Sequence, residues 1–141
     1  MRWHLFDRRV ATTLLAMLVV AGCDSGPNEP EICDDAITVT QPSGLAPGFS
    51  WTPQCGVAAV SVATPVVTQF GVQAHVVWAI EAPANQVMAP ITYGSRPWGT
   101  TVLVEPEPLL SGRDYLVTVR RWVQVDGERQ QVDVAHGHWQ P

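Results

Sequence analysis

The chain has 141 residues, with 8 arginines and no lysine against 13 acidic residues, for a formal net charge of −5. That length suits one domain with a real core. The acidic balance argues against a nucleic-acid partner, whose phosphates need a basic footprint.

Arg2, Arg8 and Arg9 precede an apolar run from Val10 to Ala21, and small residues then lead into a cysteine. Basic head, short apolar middle and small-residue exit are the parts of a secretory signal peptide. The run is too short to cross a bilayer core of about 30 Å as a helix. Val20-Ala21-Gly22-Cys23 resembles the lipobox of bacterial lipoproteins. The resemblance implies cleavage after Gly22 and a palmitate-bearing, diacylglyceryl-modified Cys23 as the new N-terminus. It places the protein in the bacterial cell envelope, facing outside the cytoplasm, with the membrane as a partner through its lipid. Two or more acyl chains give stable anchoring where one gives marginal binding.

Without residues 1–22 the chain keeps 5 arginines and 12 acidic residues, a net charge near −7. Such a surface does not dock on anionic lipid, so the acyl anchor has to hold the membrane by itself. Residues 23–36 form an acidic tether: Asp24 to Glu31 holds only Pro, Gly, Ser, Asn and acids, which keep a segment extended and solvated. From Asp24 to Ala36 it reaches at most ~43 Å. With Cys23 lipidated, Cys33 and Cys55 remain as a pair in an oxidising compartment, and a disulfide is expected between them. The alternatives are two free thiols or half of a metal site that no further cysteine completes.

Residues 37–141 read as one all-β domain. Gly 11, Pro 12 and short valine-rich runs favour strands over helices. Alternation of period two predicts strands at Ile37–Gln41, Phe49–Pro53, Val57–Thr64, His75–Glu81, Ile91–Tyr93, Thr100–Val104, Asp114–Val125 and Gln130–Trp139. Val60 and Val62 share one face, and Val76, Trp78 and Ile80 are expected to share another. Asp126-Gly127 between two alternating runs predicts a tight hairpin. With a two-residue turn and no bulge, His136 falls opposite Val117 on the core face; a bulge reverses the face and buries Trp139 instead.

Leu109-Leu110-Ser111-Gly112-Arg113-Asp114-Tyr115-Leu116-Val117-Thr118-Val119 resembles the tyrosine-corner segment of fibronectin type III and related immunoglobulin-like sandwiches. Phe49-Ser50-Trp51-Thr52-Pro53 is similar to their second strand. The resemblance implies an antiparallel β-sandwich of about seven strands. It puts Trp51, Tyr115, Val117 and Val119 in the core, and the Tyr115 hydroxyl on a backbone partner in the nearby turn. The Cys33–Cys55 pair and the long middle region Thr64–Gly99 depart from the family pattern.

Chemistry-bearing residues are sparse. His136 and His138 at i and i+2 share a strand face and are the one metal-like spacing, with only His75 or Met88 elsewhere as a further ligand. Glu105 and Glu107, between prolines on a loop, are expected to be solvated, which suits no acid/base role. No Gly-x-Ser-x-Gly elbow or phosphate-cradling glycine loop is present, so neither an enzyme nor a cofactor is implied. Trp98, in the loop Ser95–Gly99, and Trp122, on the face opposite Tyr115 and facing outward or covering an edge, are candidates for stacking on a sugar or anchoring a protein, or equally for capping the open end of a small sandwich. The sequence therefore predicts a lipid-anchored binding or structural display module, with glycan or cell-wall recognition through tryptophan, or metal binding through His136 and His138, as alternatives.

Overall fold

The computed structural model describes residues 36–141. The expected signal peptide 1–22, Cys23, the tether to residue 35 and Cys33 lie outside the described residues. Nine strands follow in chain order: β1 Thr38–Val39, β2 Gly48–Phe49, β3 Trp51–Thr52, β4 Ala59–Thr68, β5 Gly71–Glu81, β6 Ile91–Thr92, β7 Thr101–Val104, β8 Tyr115–Val125 and β9 Glu128–Trp139. All the pairings are antiparallel, and no helix occurs among the described residues.

The main sheet has five strands in the order β7-β5-β4-β8-β9. Its inner face carries Val60, Val62, Trp78, Ile80, Val117 and Val119, all with no exposed surface. Facing it are two short ribbons, β1 with β3 and β2 with β6. A single residue, Ser50, separates β2 from β3, and its carbonyl accepts the Thr40 N–H at 2.8 Å. The ribbons thus form one small layer with β2 and β3 as its middle strand. Phe49 locks the layers together, stacked on Trp78 at 6.1 Å and edge-on to Trp139 at 5.7 Å. Period-two alternation produces this two-faced packing because each strand presents every second side chain to the core.

Bulges set the faces that alternation alone misplaces. Trp78 pairs with Val62 but Val76 pairs with Ala63, so Val77 is the inserted residue. Val76 therefore turns away from Trp78 and Ile80 and is 37% exposed, against the expectation that the three share a face. The β8–β9 hairpin turns through Asp126 (φ 52°) and Gly127 (φ 82°), the left-handed pair that a tight hairpin demands. Further along, Val119 faces Ala135 while Arg120 faces Asp133, so Val134 is inserted. The register without a bulge is thereby corrected: His136 stands opposite Thr118, Gly137 opposite Val117, and Trp139 is buried.

The strand number also exceeds seven, because β7 adds to the outer flank of β5 and the second strand is split at Ser50. The expected strand Val57–Thr64 runs on to Thr68 and returns at Gly71. Only Ala59–Ala63 of β4 pairs with β8, and only Ala79–Glu81 of β5 pairs with β7. The remainder of the β4–β5 hairpin, residues 64–75, overhangs the sheet as an arm.

The two poles of the domain are distinct. The arm, Tyr115 and Trp139 mark one; Cys55 and the β4 start mark the other. The middle ribbon strand runs from Phe49, beside Trp139, to Trp51, whose indole N–H donates to the Cys55 carbonyl at 2.9 Å. β1 is antiparallel to it, so the chain enters β1 from the Cys55 pole and runs toward the arm.

Candidate functional site

The four residues expected in the core are there: Trp51, Tyr115, Val117 and Val119 are each 2% exposed or less. The Tyr115 ring stacks on Trp139 at 5.2 Å, and its hydroxyl oxygen accepts the Leu110 N–H at 2.9 Å. A buried phenol needs such a partner. The corner that Leu109 to Asp114 turns is fixed by it, and by the Gly112 N–H donating to the Pro141 carbonyl at 2.8 Å. Cys55 is buried beneath Trp51.

The two tryptophans singled out for binding differ sharply. Trp98 is 95% exposed. Trp122 is half-buried and held on every side. Its indole N–H donates to the Ala82 carbonyl at 2.9 Å, and Asn85 clasps its backbone with bonds of 2.7 and 3.0 Å. The Arg129 guanidinium lies 4.4 Å above its ring and donates to the Pro83 carbonyl. The cation occupies one face of the ring, the face on which a sugar would otherwise stack. The same loop reaches toward Trp98, since the Gln86 side-chain amide donates to the Gly99 carbonyl at 3.3 Å.

His136 and His138 share the outer face of the main sheet and are exposed. His136 Nδ1 meets the Thr118 hydroxyl at 3.2 Å, and no third ligand joins the histidines: no metal-holding group of three or more His, Cys, Asp or Glu exists among the described residues. His75 is elsewhere, 2.9 Å from the Glu107 carboxylate, and Met88 is an exposed loop residue. Glu105 is exposed, while Glu107 is half-exposed and paired rather than simply solvated. Beside that pair the Tyr93 hydroxyl lies 2.6 Å from the Glu107 carbonyl and 3.1 Å from that of Val77. Burial, reinforced by the charges of Tyr115 and Glu107, pushes its pKa up to about 12.

The most unusual surface is one that alternation did not single out. On the arm, Val67 and Phe70 are each 82% exposed and Val72 70%. Pairing of Pro65 with Ala74 and of Val67 with Val72 puts these four on one face, continuous with Ala63 on the outer side of the sheet. At the root of the arm that face opens into a cavity of about 380 Å³ lined by Ala63, Pro65, Val72, Ala74, Leu116 and His138 among others. No charged residue occurs from Thr64 to Ala74. The signal was present in the sequence as a charge-free, valine-rich run through Gln69-Phe70-Gly71, but nothing in it distinguished exposed valines from core ones. Contiguous exposed apolar surface of this kind marks interaction sites. No protein-family model matches the chain, and no curated protein or solved structure is significantly similar to it.

Proposed function

We propose that the protein is a lipid-anchored extracytoplasmic display module of the bacterial cell envelope, not an enzyme. It presents an apolar binding surface at the pole farthest from its anchor. The observation that carries this reading is the uncharged arm with exposed Val67, Phe70 and Val72, set at the opposite pole from the entry into β1. The lipobox-like Val20-Ala21-Gly22-Cys23 supplies the anchor, residues 24–36 the tether, and a Cys33–Cys55 disulfide the staple at the pole where the tether joins. The domain is of the immunoglobulin-like, fibronectin type III-like class. Supporting that are the three-strand layer of β1, β2/β3 and β6, the tyrosine corner, and the order β5-β4-β8-β9; β7 on the flank of β5 is the departure.

The test is metabolic palmitate labelling with membrane fractionation. Wild type is expected to carry label and to sediment with membranes, and Cys23→Ala to lose both. An intact Met1 start in the soluble fraction, seen by mass spectrometry, would end the proposal. A second reading, glycan or cell-wall recognition, is favoured by the 95% exposure of Trp98 alone. It predicts peptidoglycan retention that Trp98→Ala abolishes and Trp122→Ala does not.

A further inference from the structure

We infer that the arm is a self-association surface, docking antiparallel against the arm of a second copy of this chain with the Phe70 tip of each in the root cavity of the other. The inference rests on the displayed-arm reading but not on the acyl anchor. The knob is at the tip of the arm and the hole is at its root, on the outer side. Phe70 protrudes at the turn, 82% exposed, and the cavity of about 380 Å³ opens at the base of the same hairpin, where Ala63, Pro65, Val72 and Leu116 are joined by the exposed Asp114 and His138. From Ala63 to Thr68 the arm climbs about 17 Å at ~3.4 Å per residue. Two arms related by a two-fold axis across their length therefore bring each tip to the other's root. Such an isologous contact requires one patch to be complementary to itself, which a tip and a cavity on a single hairpin satisfy.

The face between them suits sheet-on-sheet packing: Pro65, Val67, Val72 and Ala74 are small and uncharged, so two such faces approach closely without desolvating an ion. Electrostatics permit it. Residues 36–141 hold 5 arginines and 7 acidic residues, a net charge of only −2, and the other acids of the mature chain, five of them, lie at positions 24–35. The side chains of Val67, Phe70, Val72 and Val76 leave about 450 Å² exposed per copy, so a pair buries roughly 900 Å², the size of a weak, transient interface. A micromolar dimer is the expectation. A lipid surface is the competing occupant, and measurement in vesicles decides for or against it. In an antiparallel pair the two tethers leave at the far ends, and each, reaching up to ~43 Å, can return to one membrane beneath the pair.

The experiment uses the full acylated chain in detergent, followed by sedimentation velocity from 1 to 100 µM, about the range of such an interface. Wild type should pass from monomer to dimer, and Phe70→Asp, an exposed turn substitution, should weaken dimerisation at least thirtyfold with unchanged circular dichroism. Co-expression of differently tagged Phe70→Cys and Ala63→Cys chains should give a disulfide-linked heterodimer. A monomer throughout, a dimer indifferent to Phe70→Asp, or no cross-link overturns the inference. A dye on Gln69→Cys, in protein reconstituted into phosphatidylcholine–phosphatidylglycerol vesicles, separates the remaining occupant. Emission that shifts with protein density supports the pair, and emission blue-shifted at every density assigns the tip to lipid and overturns it. Palmitate labelling is unaffected by any of these outcomes, so failure here leaves the anchor to its own test.

Discussion

Replacing Tyr115 by phenylalanine isolates one hydrogen bond. The ring stays, with its 5.2 Å stack on Trp139 and its 2% exposure, and only the acceptor for the Leu110 N–H at 2.9 Å disappears. A net intramolecular bond contributes about 0.5–1.5 kcal/mol, and an orphaned buried donor adds to that loss. Leu110 is 52% exposed, so water partly replaces the phenol at its N–H, and the total comes to about 1–2 kcal/mol. With a urea m-value near 1.5 kcal/mol/M for a domain of this size, the midpoint should fall by about 0.7–1.3 M at unchanged m. Urea titration of the full chain by far-ultraviolet circular dichroism measures it. A loss below about 0.3 kcal/mol, less than a net hydrogen bond, would refute the idea that this hydroxyl holds the corner.

Three further outcomes follow from the geometry. Tyr93 is raised from its ordinary 10.0 to about 12, so the folded chain holds its proton where the unfolded chain releases it; stability should be full below pH 10 and decline toward pH 12. Tyr93→Phe should flatten that decline in a pH series of melting temperatures. At Gly137 an added Cβ would lie 3.0 Å from methyls of both Val117 and Val39, so Gly137→Ala should cost about 1–3 kcal/mol by forcing the two layers apart, read by thermal melting. If Cys33 and Cys55 are joined, Cys33→Ser should lower stability by about 3 kcal/mol and abolish the mobility difference between reduced and unreduced samples in denaturing gels.

Much of the architecture was legible because local chemistry specifies it. Trp51, Val60 and Val62 alternate with small or polar neighbours, and Asp126-Gly127 has the left-handed preference that a tight turn needs. The faces of Val76 and His136 were not legible for one shared reason. Each lies just past an inserted residue, Val77 or Val134, and an insertion reverses every side chain beyond it while leaving the alternation unchanged. Trp122 looked like a free ring because its covering groups, Ala82, Asn85 and Arg129, are distant in sequence or across a hairpin. The arm was missed because apolar alternation reports which residues share a face, not whether anything covers it.

The entry of the chain at one pole and the arm at the other also decides how the domain responds to tension. On the proposed anchoring, a tug between membrane and a partner gripping Phe70 would run lengthwise along the strands, loading neighbouring bonds in shear together rather than unzipping them singly. Were Cys33 tied to Cys55, that load would bypass β1, β2 and β3 and pass covalently to the segment leading into β4, the strand that itself climbs into the arm. The short facing ribbons would then be spared the force altogether, and the line from anchor to partner would be β4 alone.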